Sequence, residues 1–131
     1  MARRKTKTLT ELELDIMQVV WQRGEATVQE IQDAFASSPR PLALPSIRTM
    51  LAILQDKQYV TRRQDGRGFV YRAAVEKAEA ERRMVADLVE RAFRGSAASL
   101  VAALVNGRMV SKKDIEKAKA LIEKGHNGDK R

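Results

Sequence analysis

The feature that most constrains this chain is an arginine-rich hairpin signal with helical patterns on both sides. The segments "YVTRR" and "GFVYR" are rich in β-branched and aromatic residues, which is typical of short β-strands. Between them, the Asp65-Gly66 pair favours a tight turn, because glycine tolerates positive φ. Val60 is predicted to face the core, and Phe69 and Tyr71 to share one face of the second strand. The fold class is therefore predicted to be mainly α with a small β-hairpin.

Three helices are predicted before the hairpin. Thr10 and Thr27 each have a glutamate three places on, the capping-box pattern of a helix start. Gly24 marks the end of the first helix. The third helix is predicted to begin at Pro45, with Leu44 in the cap position. Its predicted apolar side consists of Ile47, Met50, Leu51 and Leu54.

After the hairpin the chain is predicted to form three more helices. About 50 amphipathic residues seldom make a stable core alone, so a second copy across a two-fold interface is expected. The predicted division is a winged-helix domain at 1–74, a helical dimerisation domain at 75–124 and a disordered tail at 125–131. Ser111 is predicted to cap the last helix.

Composition restricts the partners and the compartment. The net charge of the 131 residues is +8, which favours a polyanionic partner such as nucleic acid. There is no cysteine, so disulfides, thiolate metal sites and cysteine nucleophiles are excluded. The longest uncharged run, Ser96 to Gly107, is shorter than the roughly 18 apolar residues of a membrane helix. We therefore expect a cytoplasmic protein without a membrane partner.

Nothing in the sequence predicts an enzyme. The one histidine, His126, falls in the predicted tail. No nucleophile–base motif, phosphate-cradling loop or metal-ligand spacing is present. We accordingly predict no catalytic residue, no metal site and no cofactor.

Three helices followed by a basic hairpin form the order of a winged helix-turn-helix, which binds double-stranded DNA. The third helix would enter the major groove, where Arg48 can donate two parallel bonds to guanine. Thr49 can contact a base or a thymine methyl, and Gln55 lies on the same polar face. Ser46, at the helix start, is expected to bind a phosphate.

The hairpin arginines are predicted to bind phosphates of the flanking backbone. Because side chains alternate along a strand, the arginines of the hairpin cannot all point the same way. Two or three contacts are expected, with Arg62, Arg63 and Arg67 as the candidates. The N-terminal cluster from Arg3 to Lys7 is a further candidate, as an arm on the backbone or minor groove.

Three segments carry a family resemblance: "LTELELDIMQVVW", "LPSIRTMLAILQDKQYVTRRQDGRGFVYR" and "RGSAASLVAALV…SKKDIEKAKALI". In this order, from about Leu9 to Lys124, they resemble the BlaI/MecI/CopY family of penicillinase and copper-type repressors. The resemblance implies a homodimeric winged-helix repressor on palindromic operators, with Thr61 to Arg72 as the wing. It also implies dimer contacts on the C-terminal helices, at Leu88, Leu100, Leu104, Ile115 and Ile122.

The chain also departs from the family. Copper-responsive members carry paired cysteines, which this chain lacks. β-Lactam-responsive members are cut at an Asn-Phe bond, and the aligned pair here is Ala103-Leu104. The sequence is compatible with three ways of release from DNA: a regulatory protease, a sensor protein or a ligand. Many relatives have glycine where Gln58 stands, and a left-handed Gln58 would cost about 1 kcal/mol.

Two other functions would use the same fold. A sequence-indifferent architectural DNA-binding protein would keep the basic hairpin but show little preference between operator and random duplex. A winged-helix module for protein contacts would expose apolar residues on the third helix. The polar side chains of Arg48, Thr49 and Gln55 favour the repressor instead.

Overall fold

The computed structural model describes the backbone of residues 8–129 and the side chains of residues 8–125. The basic cluster from Arg3 to Lys7 lies outside the described residues. The predicted disordered tail, 125–131, lies almost entirely outside the described side chains, and its disorder stays a prediction. The backbone of the last helix nevertheless continues past Lys124, the predicted end of the helical region, to Asp129.

Six helices and three short strands make up the described chain, which confirms the predicted mainly α fold class with a hairpin. It divides into two compact units, one ending at Asp87 and the other beginning at Leu88. Compactness alone does not delimit a functional domain, so the boundary after Ala74 stays a prediction. No helix in the described part is long and apolar enough to cross a membrane. The elements are α1 (Glu11–Arg23), β1 (Glu25–Thr27), α2 (Val28–Ala34), α3 (Leu44–Asp56), β2 (Val60–Asp65), β3 (Gly68–Ala73), α4 (Lys77–Phe93), α5 (Ala97–Asn106) and α6 (Lys112–Asp129).

Both predicted capping boxes are present. The Thr10 hydroxyl accepts from the Glu13 amide at 3.2 Å, and the Glu13 carboxylate accepts from the Thr10 amide at 2.9 Å. Thr27 and Glu30 repeat the arrangement at α2, at 3.1 and 2.9 Å. The hydrogen bond from the Thr27 amide lowers the pKa of the Glu30 carboxyl, and the charge of Arg23 lowers it further by a smaller amount. Gly24 ends α1 with a φ of 85°, as predicted.

The predicted start of α3 is wrong by one residue. Ala43 is the N-cap and Leu44 the first helical residue, with the Ile47 amide bonded to the Ala43 carbonyl at 3.1 Å. Pro45 is tolerated at the second position because the first four amides of a helix have no partner within it. At the other end, Gln58 has a φ of 69° and therefore carries the left-handed strain.

The small sheet contains a strand that the sequence did not predict. The strand order is β1-β3-β2, and all pairs are antiparallel. β1 pairs Glu25 with Arg72 and Ala26 with Tyr71, and the Ala26 side chain is buried. The segment connecting α1 to α2 therefore also attaches the hairpin to the helices.

A turn of two residues, Gly66 and Arg67, closes the hairpin between the paired residues Asp65 and Gly68. Gly66 has a φ of 63°. Gly66 is the first of the two loop residues, the position at which a type II′ hairpin turn requires glycine. The turn fixes the register, which pairs Arg62 with Tyr71.

One core holds the first unit together. Val60 belongs to this core, as predicted. At the edge of the core, the indole nitrogen of Trp21 donates to the Val75 carbonyl at 2.9 Å. The core combines side chains of α1, the sheet, α2, α3 and the start of α4. Its members are Ile16, Met17, Val20, Ala26, Ile31, Ile47, Leu51, Leu54, Tyr59, Val60, Tyr71, Val75 and Ala80.

A buried ion pair connects the beginning of α1 to the end of α3. The Lys57 ammonium lies 2.7 Å from the Glu13 carboxylate, and the two side chains are only 8% and 4% exposed. Lys57 also donates to the Thr8 carbonyl at 3.1 Å. Since the same Glu13 oxygen accepts from the Thr10 amide, one carboxylate caps α1 and anchors α3.

The substitution Lys57→Met should lower the free energy of unfolding by about 3 kcal/mol, because it leaves the Glu13 carboxylate buried without its charge partner. Urea denaturation followed by circular dichroism measures the change. The control is Arg23→Met, which breaks the exposed Arg23–Glu30 pair of similar length, 3.0 Å. An equal loss in both variants would contradict the special role of the buried pair.

The substitution Gly66→Ala should cost about 1 kcal/mol of stability, because its φ of 63° disfavours any residue with a Cβ atom. An added Cβ would meet nothing within 4 Å, so the cost is purely conformational. Gly68→Ala, two residues away, is the matched control, since its Cβ also meets nothing and its φ is not positive. Thermal unfolding of both variants checks this, and equal shifts would refute the assignment of strain to Gly66.

Candidate nucleic-acid interface

An open cleft of about 470 Å³ lies between α3 and the hairpin. α3 contributes Arg48, Ala52 and Gln55 to its wall. Four predicted DNA contacts therefore line one cleft: Arg48, Gln55, Arg62 and Arg67. The remaining lining residues are Thr27, Val28, Gln29, Asp65, Gly68, Phe69 and Tyr71.

Arg48 and Arg67 approach the cleft from its two sides. Both side chains are exposed, Arg48 on α3 and Arg67 in the turn. Neither forms an ion pair with any residue in the described part of the chain. Their charges are available to an anionic ligand, which is what contact with DNA requires.

Arg62 is held in place by aromatic side chains. Its guanidinium carbon lies 3.8 Å from the centroid of the Phe69 ring, and its Nη1 donates to the Tyr71 hydroxyl at 3.4 Å. Phe69 and Tyr71 thus share one face of the strand, as predicted. The register places Tyr71 directly opposite Arg62, and Phe69 is its diagonal neighbour.

Arg63 points to the other face of the sheet. Its Nη2 lies 3.0 Å from the Glu25 carboxylate of β1, and both side chains are about half exposed, 56% and 43%. It does not line the cleft. The prediction that the hairpin arginines diverge is therefore confirmed, and the chain itself supplies an anion to one of them.

α3 also carries two candidates that do not line the cleft, Ser46 and Thr49. Ser46 is exposed in the first turn, and Thr49 and Gln55 are exposed further along. The exposed face of α3 also presents Ile53, which is 38% exposed, and Asp56. The sequence pattern did not single out Ile53, which is exposed although it is apolar.

The sequence also missed the contribution of α2 and of the aromatic residues. Thr27, Val28 and Gln29 line the cleft because β1 brings the start of α2 beside the hairpin. Nothing local marks them as surface residues of a site. The position of Arg62 against Phe69 could have been found, since a turn closed by Asp65 and Gly68 fixes the register.

The second unit has apolar faces, but none of its described side chains, those of residues 88–125, is buried in the single chain. Its helices are nevertheless well capped: the Ser96 hydroxyl accepts from the Ser99 amide at 3.0 Å, and Ser111 caps α6 reciprocally with Asp114, as predicted. The large exposed apolar side chains are Leu88, Val101, Val105, Met109, Ile115, Leu121 and Ile122.

The predicted dimer contacts fall into two groups on these helices. Leu88, Ile115 and Ile122 are 45%, 43% and 69% exposed. Leu100 and Leu104 of α5 are half-buried within the unit. Ala103 and Leu104 both lie within α5, where their carbonyls accept from Gly107 and Met109 at 2.9 Å.

Comparison with known proteins identifies the family. The family model "Penicillinase repressor" matches residues 9–124. The methicillin resistance regulatory protein MecI of Staphylococcus aureus, and that of Mammaliicoccus sciuri, are 25% identical over 124 residues, which cover 92% of this chain and 97% of MecI.

Two solved structures share the fold. The DNA-binding domain of the repressor BlaI matches with a TM-score of 0.50 and 23% identity, over 59% of this chain and 93% of that domain. A mutant MarR from E. coli complexed with operator DNA matches with a TM-score of 0.50 and 16% identity, over 88% of this chain and 74% of MarR. The winged-helix fold is therefore common to all three chains. Because the family model matches residues 9–124 of the 131 residues, this chain belongs to the penicillinase repressor family.

Proposed function

We propose that this chain is a transcriptional repressor that binds double-stranded DNA as a homodimer on two-fold symmetric operators. The cleft carries this proposal, because it places Arg62 and Arg67 of the hairpin opposite Arg48 on the exposed polar face of α3. The relatives support it, since BlaI is a repressor, MecI a regulatory protein, and MarR was solved with operator DNA. Such a repressor acts in the cytoplasm and needs neither a catalytic residue nor a cofactor.

In this proposal α3 reads base edges in the major groove. Arg48, with no ion pair among the described residues, can form a bidentate contact with guanine. Thr49 and Gln55 are exposed on the same helix. The small side chain of Ala52 allows the helix to approach the base pairs closely, and Ile53 suits a thymine methyl.

The hairpin and the start of α3 contact the phosphate backbone. Arg67 is the strongest candidate in the turn, since no acid in the described chain pairs with it. Arg63 has to exchange Glu25 for a phosphate, so its net contribution is smaller. Ser46 lies in the first turn of α3, where free amides favour an anion.

The second unit supplies the dimer interface. A group of helices with several large side chains at 43% exposure or more cannot be stable as a lone unit in water. A second copy covers these side chains in a self-complementary interface, which matches a two-fold operator. A regulatory protease or a sensor protein would then act on this unit, and cleavage near Ala103-Leu104 would first require α5 to open locally.

Fluorescence anisotropy tests the proposal. The probe is the duplex that the full chain enriches from a random pool, compared with a scrambled duplex over a salt series. We expect a preference of roughly a thousandfold, saturating at two chains per site. Equal and strongly salt-dependent binding to both duplexes would instead establish the architectural alternative.

The substitution Arg48→Ala should relax base preference at one position in each half-site, costing about 1–3 kcal/mol there. Arg67→Ala removes the same charge from the turn and should weaken binding to all sequences while reducing the salt slope. Anisotropy on single-base variants of the enriched duplex separates the two effects. If Arg48→Ala lowered every affinity equally, α3 would not read bases through this residue.

The substitution Ile122→Glu should raise the dimer dissociation constant by more than about tenfold, because it places a carboxylate in the apolar interface. Lys119→Glu adds the same carboxylate to an exposed polar position of α6 and should leave the constant within about twofold. Sedimentation equilibrium measures both. A monomeric native chain, or equal effects of the two variants, would refute the proposed interface.

A further inference from the structure

We propose that the cleft between α3 and the hairpin binds one phosphate of the DNA backbone, and that Arg62 is the residue that holds it. This inference rests on the proposed function, which weighs Arg67 and Arg63 as phosphate contacts but assigns no role to Arg62. The structure separates these three arginines. Arg62 is the hairpin arginine that is both inside the cleft and fixed in position.

The position of Arg62 is fixed by residues that belong to the folded body. Tyr71, whose hydroxyl accepts from Arg62 Nη1, is only 5% exposed and is part of the core. Phe69, whose ring lies 3.8 Å from the guanidinium carbon, is half-buried and packs against that core. A long side chain normally loses about 2 kcal/mol of rotamer entropy when a ligand immobilises it. For Arg62 much of that loss has occurred on folding.

An aromatic support leaves the charge of Arg62 available. The ring attracts the guanidinium through its π face but supplies no opposite charge, and the N–H groups at the edge stay free to donate. Arg63 is the opposite case, because the Glu25 carboxylate lies 3.0 Å from it and competes with any phosphate. Among the described residues Arg62 has no ion-pair partner, so a phosphate that binds there displaces none of them.

The surroundings of Arg62 suit a phosphate that belongs to a larger polymer. The described residues that line its cleft include three arginines and one carboxylate, that of Asp65. A volume of about 470 Å³ between two open walls admits a nucleic-acid strand, whereas it would surround a lone phosphate only loosely. Arg48 lines the same cleft from α3, so the phosphate held by Arg62 lies on the DNA that α3 reads.

Charge removal from individual phosphates tests this assignment. Neutral methylphosphonates are placed one at a time along the enriched duplex, and affinities are measured by anisotropy for the native full chain and for Arg62→Ala. For the native chain we expect losses of about tenfold at several positions per half-site, one of which is the phosphate that Arg62 holds. For Arg62→Ala, a methylphosphonate at that position should no longer change the affinity, while the losses at the other positions persist.

Three further variants make the result specific. Arg72→Ala removes another exposed charge from the opposite face of β3 and should keep the sensitive position. Arg62→Lys keeps the charge but not the planar stacking, and Phe69→Leu removes the ring. Both should weaken binding about threefold or more with the salt slope unchanged, which a purely electrostatic role would not produce. Thermal unfolding confirms that each variant is folded.

The possible outcomes separate a failure of the phosphate assignment from a failure of the proposed function. If the native chain enriches no duplex, the proposed function fails. If it does, but Arg62→Ala leaves every methylphosphonate loss in place, or Arg72→Ala abolishes the same position, the phosphate assignment alone is overturned. Tight binding of inorganic phosphate that depends on Arg62, together with no Arg62-dependent position on the duplex, would overturn it in favour of a small-anion site.

Discussion

The structure of the first unit depends on one buried ion pair, between Glu13 at the start of α1 and Lys57 at the end of α3. Burying two charges costs several kcal/mol, and a well-packed apolar pair would often be as stable. An apolar pair, however, could slide, whereas a carboxylate that also accepts from the Thr10 amide has one acceptable geometry. The pair therefore fixes where α3 ends, and with it the exposed face of that helix.

The same end of α3 determines how the hairpin leaves the helix. Gln58 adopts a positive φ, and the Tyr59 amide bonds back to the Leu54 carbonyl at 2.8 Å, the Schellman arrangement. Tyr59 is thereby buried, and β2 begins at once with Val60. From there strand alternation decides which arginine faces the cleft and which meets Glu25. A strained residue thus sets the position of the site, which explains why strain of about 1 kcal/mol is tolerated there.

Local chemistry made part of this fold predictable. Capping boxes, helix-ending glycines and a tight-turn pair act within a few residues, so the helices and the hairpin could be predicted from sequence. β1 could not, because a three-residue strand exists only by pairing with β3, more than 40 residues away, as Ala26 does with Tyr71. The ion pairs Glu13–Lys57 and Arg63–Glu25 escaped prediction for the same reason. The contact between Arg62 and the Phe69 ring was predictable only in part. The turn sets the register that makes the two residues neighbours, but only the packing shows that the guanidinium lies over the ring.

The second unit illustrates how local and non-local stabilisation can be separated. Ser96 and Ser111 cap α5 and α6 well, so each helix has a defined start, yet no side chain between residues 88 and 125 is buried. Helical propensity and caps contribute too little for helices of this length to persist in water. The missing free energy has to come from covering the apolar faces, which in the proposed dimer makes folding of this unit depend on protein concentration. A signal that loosens α5 or α6 would then weaken pairing and operator binding together, without contact with α3.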